Sequence, residues 1–333
     1  MMTRSRQSRS PLTILTEPTP FFNARGYASN FNRALPRRLR KWIAGMRGRS
    51  IGGHVAVTRS LLHGLTELGW QHNYNPLMQH CIAEHCLVLA NEEALRQAIL
   101  LKRDGKIKRL VAGPNIVVLP SEMDALMASP EIDLCLVPSE WVKQVYLAET
   151  PALEGRIAVW AAGVDVTQWC APPPGPAMPA PVVLLYVKSG MTEDELTCLH
   201  DLLVSHGATV IRVDYGQYDA SQFRQHLARA SLCIFVSASE SQGIALQEAW
   251  SCDRPTWVFD PGYWSAPNGR RYPASSAPYL SADCGHAFSA LDALAILLKR
   301  WENGELHYAP RHWVSQYMTD KTSAERLTSL LFD

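Results

Sequence analysis

Nowhere does this sequence run to the ~18 consecutive apolar residues that a helix needs to cross a bilayer, and its basic N-terminal residues precede no apolar core with a cleavage site. The expectation is a chain without signal peptide or transmembrane helix. An excess of charge is missing as well: 32 Lys and Arg stand against 31 Asp and Glu, a formal net charge of +1 that gives no ground for nucleic acid as a partner. There is no internal repeat and no low-complexity tail, which argues against solenoids and disordered arrays. The eight cysteines (Cys81, Cys86, Cys135, Cys170, Cys198, Cys233, Cys252 and Cys284) are scattered. Several sit in apolar runs where a cysteine acts as a small hydrophobe, so reduced thiols and a cytoplasmic location are expected.

What is present is apolar sequence enough for two cores. Of 333 residues, 47% are hydrophobic and 19% charged, which fits a globular protein of two domains. Locally the charge balance breaks down. Between Pro18 and Thr66 there is no Asp or Glu, while Arg25, Arg33, Arg37, Arg38, Arg40, Lys41, Arg47, Arg49 and Arg59 accumulate. Leu35, Leu39, Trp42, Ile43 and Met46 recur among those bases at helical spacing. The basic arm 24–50 therefore predicts either a peripheral contact with anionic lipid at the inner membrane or a cradle for an acidic substrate. A helix packed on its own domain with arginines in water is the plainer alternative.

Along the chain, elements of opposite periodicity alternate. Residues 12–16 read as a strand and 55–68 as a helix that opens behind Gly52-Gly53 and closes at Gly69. Strand 86–90 leads into a helix capped by Asn91, with Glu92 and Glu93 in its first turn, ending at Gly105. Strand 109–112, a helix started by Ser121 and Asp124, strand 132–137, a helix capped by Ser139 and strand 156–160 complete a first series. Six prolines between Ala171 and Pro181 forbid a helix or central strand and predict a stiff linker, 171–181. A second series follows: strand 182–187, helix 193–206, strand 209–213, helix 220–230, strand 232–236, a helix carrying Glu248, and strand 256–259. Residues 261–284 read as irregular, then 289–301 and 312–331 as helices. Strands apolar throughout and separated by helices indicate parallel sheets covered on both faces, hence two doubly wound α/β domains. The boundaries predict an N-terminal domain 1–170, the linker, a C-terminal domain 182–304 and a last helix within 305–333 crossing back.

Glu240 and Glu248, separated by seven residues, lie in a strand–glycine turn–helix corner directly after Leu232-Cys-Ile-Phe-Val236. Such a corner presents backbone N–H groups and the positive helix end to a phosphate, while carboxylates accept hydrogen bonds from sugar hydroxyls. The chemistry points to a nucleotide sugar. Alternatively Glu240 is a solvated loop carboxylate and Glu248 an ordinary helix-surface residue.

Taken whole, the string Ser237, Glu240, Gly243, Glu248, Ala249, Cys252 and Pro255 resembles the C-terminal signature of retaining GT-B glycosyltransferases of the family 4 type. Asp133-Leu-Cys-Leu-Val-Pro-Ser139 and the Gly163-Val-Asp165 that follows strand 156–160 resemble that family's last N-domain strands and Gly-Val-Asp signature. Gly52-Gly53 resembles its glycine loop. The resemblance implies a GT-B fold, two Rossmann-like domains facing a cleft, with the acceptor on the N-terminal domain and a nucleotide diphosphate sugar donor on the C-terminal one. It implies that Glu240 accepts from donor-sugar hydroxyls, Glu248 binds the ribose, the amides of Gly243 and Ile244 face sugar or diphosphate, and Gly52 and Gly53 face the phosphates. The diphosphate cation maps to Lys188, with Arg212 a second candidate; the family's upstream Arg and Lys-Gly pair are missing around Lys188-Ser-Gly190. Asp253 stands where the family has a glycine, and Asn115 where many members have a histidine.

The implied activity is transfer of a sugar, with retention, to a hydroxyl of a surface polysaccharide or lipid-linked glycan. No metal is required in such a fold, and no Asp-x-Asp pair is present. Other readings are a non-catalytic GT-B protein that binds a glycan or partner, and another nucleotide-sugar enzyme such as a 2-epimerase. His80-Cys-Ile-Ala-Glu-His-Cys86 contains residues that can ligate zinc, but it runs into a strand and no second cluster accompanies it, so no metal is expected. Tyr263, Trp264, Tyr272 and Tyr279 can stack on a sugar or base, or simply anchor their loop. His54 can meet phosphate or acceptor.

Overall fold

A computed structural model describes residues 10–16, 53–170 and 180–332. Gly52, the basic arm 24–50 and residues 171–179 of the proline-rich linker lie outside the described residues. Contacts gather the described residues into two compact units, one holding residues 10–16, 57–162 and 323–332, the other 53–56, 163–170 and 180–322.

In the first unit, β1 (Leu12–Leu15), β2 (His72–Tyr74), β3 (His85–Val88), β4 (Arg109–Ala112), β5 (Leu134–Val137) and β6 (Ile157–Val159) form a parallel sheet in the order β2-β1-β3-β4-β5-β6. Its central strands are apolar at successive positions because helices cover both faces: Leu12, Ile14, Leu15, Cys86, Leu87 and Val88 are all fully buried. The flanking helices are α1 (Gly53–Glu67), α2 (Glu92–Arg103) and α3 (Glu140–Glu149). Asn91 caps α2 through Oδ1, which accepts from the Ala94 amide at 2.6 Å. Strand β2, three residues long, is too short to show a period and has no counterpart in the sequence reading. One local expectation fails. Residues 122–125 do not start a right-handed helix behind Ser121: Met123, Asp124 and Ala125 take left-handed φ values of 54°, 59° and 56°. The Glu122 carboxylate turns back to the Val118 amide instead of the turn ahead.

The second unit is a five-stranded parallel sheet of β7 (Val182–Val187), β8 (Thr209–Asp214), β9 (Leu232–Val236), β10 (Thr256–Phe259) and, after a hairpin, β13 (Gly285–Phe288), in the order β13-β10-β9-β7-β8. Helices α4 (Glu193–Ser205), α5 (Ala220–Arg229), α6 (Ile244–Ser251), α7 (Leu291–Glu302) and α8 (Pro310–Tyr317) complete it. Capping boxes Thr192/Glu195 and Asp219/Gln222 fix the starts of α4 and α5. Alternate strand residues serve opposite faces: Val183, Leu185, Ile234 and Trp257 pack on Leu196, Leu199, Leu294 and Leu298 of α4 and α7, while Tyr186 and Phe235 meet each other and Tyr186 meets Phe223 of α5.

The stretch 261–284, read as irregular, contains an antiparallel hairpin of β11 (Tyr263–Ser265) and β12 (Arg271–Pro273). The single helix expected over 312–331 is two, α8 and α9 (Asp320–Phe332). They part at Thr319, whose Oγ1 accepts from the Thr322 amide, while Met318 O and the Asp320 amide bond to Val164 at 2.8 and 3.3 Å. From Ser323 onward α9 belongs to the first unit, where Arg109 bonds Leu330 O and Phe332 packs on Trp70 and His85.

Candidate functional site

The chain leaves β7 to build β8 on one side and returns to build β9 on the other. The strand order therefore reverses between β7 and β9, and an open parallel sheet offers its ligand crevice beyond the carboxyl ends of the strands at such a point. Lys188 follows β7 there and Glu240 follows β9. Their side chains meet: Lys188 Nζ lies 2.8 and 3.0 Å from the two Glu240 oxygens. Ser237 Oγ also donates to Glu240 Oε1, at 3.0 Å. The backbone prepares the pairing. Lys188 N donates to Val236 O at 2.9 Å, Ser189 Oγ accepts from the Ala238 amide, and Gly190 brings the two loops so close that a Cβ would sit 2.9 Å from Ala238 N.

Beyond Glu240 the chain turns at Gly243, whose φ of 81° suits glycine, into α6. Gly243, the residue at the cap position, has no side chain to cap the helix; the Leu246 amide bonds Gly243 O at 3.1 Å, and the Ile244 and Ala245 amides ahead of it face a helix start that suits water or an anion. Gln242 and Gln247, both buried, brace the turn through a 3.0 Å bond. Glu248 stands on α6, half-buried.

One part of the site has no counterpart in the sequence reading. Tyr215, at the carboxyl end of β8, is 50% exposed and its ring lies 5.0 Å from Lys188 Nζ. Tyr218 follows after a turn at Gly216 and donates to the Tyr186 hydroxyl at 3.0 Å. Both glutamate charges reach Tyr218, so carboxylates, lysine and tyrosines share one locality. The signal available in sequence was the spacing Tyr186, Tyr215, Tyr218 at two strand ends, which only strand adjacency makes meaningful.

Burial pushes the Tyr218 phenol up to about 12, partly offset by its hydrogen bond to Tyr186 and aided by the weaker effect of the nearby carboxylates, and burial pushes Tyr186 up further. The folded state then holds these protons longer than the unfolded chain, whose tyrosines ionise near ~10. Their contribution to stability is present in full below that pH and is lost as pH rises through the folded value. A phenolate absorbance titration is expected to show late-ionising tyrosines, one fewer in Tyr218→Phe; identical curves would disprove the buried pair.

Other predicted residues lie elsewhere or are already engaged. Arg212 is tied to Glu193 at 2.8 and 2.9 Å and to Asp214 at 3.0 Å, away from the Lys188–Glu240 pair. Gly53 opens α1 in open space, with nothing within 4 Å of an added Cβ. Asp253 adopts a left-handed φ of 57°, which Asp tolerates better than most residues, and its Oδ1 accepts from the Arg311 amide. Among the described residues, His80, Cys81, Glu84, His85 and Cys86 bring no three ligand atoms together, and burial pushes the Cys86 thiol far up.

No profile of any protein family matches this sequence, and no curated protein does. Solved structures do match the fold. The apo form of the lipopolysaccharide outer core galactosyltransferase WaaB is 14% identical at a TM-score of 0.59, covering 97% of this chain and 99% of its own. Sucrose-phosphate synthase from Thermosynechococcus elongatus is 12% identical at 0.56, covering 97% and 98%. A glycosyltransferase from Rickettsia africae is 10% identical at 0.56, covering 98% of both chains. The likeness is one of fold: this chain has the GT-B architecture of two Rossmann-like units.

Proposed function

We propose that this GT-B protein is a retaining glycosyltransferase that takes a sugar from a nucleotide diphosphate donor held by the second unit and passes it to an acceptor hydroxyl held by the first. The observation that carries the reading is the Lys188–Glu240 pair at the strand-order reversal, beside the uncapped start of α6. Glu248 accepts hydrogen bonds from the ribose hydroxyls, and Glu240 from hydroxyls of the sugar. Lys188, Gly243 and Ile244 face the diphosphate. When the bond from the anomeric carbon to the diphosphate breaks, negative charge grows on the leaving oxygen, and the Lys188 ammonium and the α6 N-terminus oppose it. The acceptor oxygen bonds to the anomeric carbon on the same face, and its proton passes to the departing diphosphate. The half-exposed Tyr215 ring offers the flat apolar surface that a nucleobase needs. Gly52 and Gly53 are proposed to face the phosphates, the acceptor to be a surface polysaccharide or lipid-linked glycan, and the arm 24–50 to touch the inner membrane from the cytoplasm. No helix among the described residues is long and apolar enough to cross a membrane.

Calorimetric titration with UDP, GDP and ADP tests this reading. One of the three is expected to bind, with affinity falling about tenfold or more in Glu248→Ala, where charge-assisted bonds to the ribose are lost. Tyr215→Ala is expected to weaken the same nucleotide about tenfold through lost stacking. If none binds, the donor site does not exist. The engagement of Arg212 favours a second reading, a GT-B protein that binds without turnover; nucleotide binding with no donor consumption in the presence of acceptor glycans would select it.

A further inference from the structure

Lys188 and Glu240, the residues proposed to face different parts of a nucleotide sugar, are bonded to each other, the Lys188 ammonium to both carboxylate oxygens at 2.8 and 3.0 Å. The two partners are held unequally. Glu240 is fixed by its surroundings: Oε1 accepts from Ser237 Oγ at 3.0 Å, its amide donates to Ser275 O at 3.0 Å, and Ser237 O accepts in turn from Ser276 Oγ at 2.7 Å. Ser237 and Ser276 are buried, and the Glu240 side chain is 18% exposed. Lys188 is anchored by its amide, which donates to Val236 O at 2.9 Å, while its ammonium rides on a flexible four-carbon stem, 31% exposed. The Tyr215 ring, 5.0 Å from Nζ, offers a second surface over which a cation can rest. When this pair opens, the lysine travels and the carboxylate stays.

The unequal hold bears on what the site prefers. Glu240 and a diphosphate are both anions, and an ammonium turned toward one is withdrawn from the other. A nucleotide sugar brings hydroxyls that donate to the carboxylate and make good what it loses as the lysine turns to the phosphates. The nucleoside diphosphate left after transfer lacks those hydroxyls. Its hold on Lys188 leaves a fixed, mostly buried carboxylate short of its cation, which costs binding free energy that the donor does not lose.

We propose that Glu240 is a specificity-determining residue: it competes with the diphosphate for Lys188, so that the second unit holds the sugar-bearing donor in preference to the sugarless product and lets the product go once the sugar has left. The inference rests on the donor reading of this site. Calorimetric titration of the full chain with UDP, GDP and ADP, and with UDP-glucose, GDP-mannose and ADP-glucose, tests it, with ligand-observed NMR for the weak arms. Glu240→Gln keeps the shape and removes the charge. It is expected to tighten the nucleoside diphosphate that binds by about fivefold, the factor that a partly exposed ion pair is worth, and to leave the matching nucleotide sugar unchanged or weaker. Lys188→Ala is expected to weaken that diphosphate only about twofold in the wild-type chain, where the lysine gives up Glu240 to bind it, but about tenfold in the Glu240→Gln chain, where it gives up nothing. Repulsion between Glu240 and the phosphates acts with or without the lysine and cancels from that comparison. Equal tightening of diphosphate and nucleotide sugar, no tightening of the diphosphate, an equal cost of Lys188→Ala in both chains, or loss of all detectable binding in Lys188→Ala alone overturns the proposal. If no nucleotide binds any of these chains, the donor reading falls and this inference with it; if one binds and the ratios do not move, this inference falls alone.

Discussion

Lys188→Ala is expected to lower kcat for sugar transfer by about a hundredfold or more, the scale on which removing one preorganised partner of a developing anion acts. The reason lies in the timing of the charge. Before the reaction the ammonium is shared with Glu240 at 2.8 and 3.0 Å. In the proposed transfer the diphosphate gains charge as the donor bond breaks, and Lys188 would shift its bonds toward it without water having to reorganise. The loss should therefore fall on kcat more than on KM, in a steady-state transfer assay with whichever nucleotide sugar calorimetry identifies. Lys188→Arg keeps the charge but replaces a compact ammonium with a planar fork, and should recover only part of the rate. The fold should tolerate both changes. The Lys188 side chain is 31% exposed, and partly exposed ion pairs contribute little to stability. An unchanged kcat in Lys188→Ala would remove the lysine from the chemistry.

The second large effect expected is structural. Gly163→Ala should destabilise the second unit by about 2 to 3 kcal/mol, the upper range for forcing an extra group into packed backbone. An added Cβ would overlap the backbone of Thr319 and Asp320, which no side-chain rotation can relieve. At this point Val164 N donates to Met318 O and Asp320 N to Val164 O, so the segment between α8 and α9 is bonded directly to the Gly163-Val-Asp165 loop. The substitution should lower the midpoint of thermal unfolding and speed hydrogen exchange of the Val164 and Asp320 amides. An unaltered midpoint together with unaltered exchange would show that the glycine is not needed for the close approach.

These two sites differ in how far the sequence revealed them. The Glu240–Glu248 corner was legible because its ingredients are local: an apolar strand, a glycine at positive φ and a helix start within one short string. Gly163 was visible as part of a signature, yet its reason, a backbone contact with Thr319, depends on a residue more than a hundred positions away. The hairpin has no signal in the sequence because strands of three residues in a stretch rich in Pro, Gly and Ser carry too few alternations to register a period of two. The break between α8 and α9 was hidden because Met318 and Thr319 fit a helical pattern. It is the tertiary bonds to Val164 that draw the backbone away.

The sequence by itself determined two parallel α/β sheets and the carboxylates that mark one strand end, because hydrophobic period, caps and turn residues act over a few neighbours. The tertiary structure decided what stands around those carboxylates. Lys188 pairs with Glu240 and Tyr215 lies beside them because β8, β7 and β9 are adjacent in the sheet, although the three residues are dispersed over about fifty positions. The same structure tied Arg212 to Glu193 and Asp214 and placed Arg271 on Tyr263. Partner choice for a charged side chain is fixed by strand order and loop path, which no local propensity encodes.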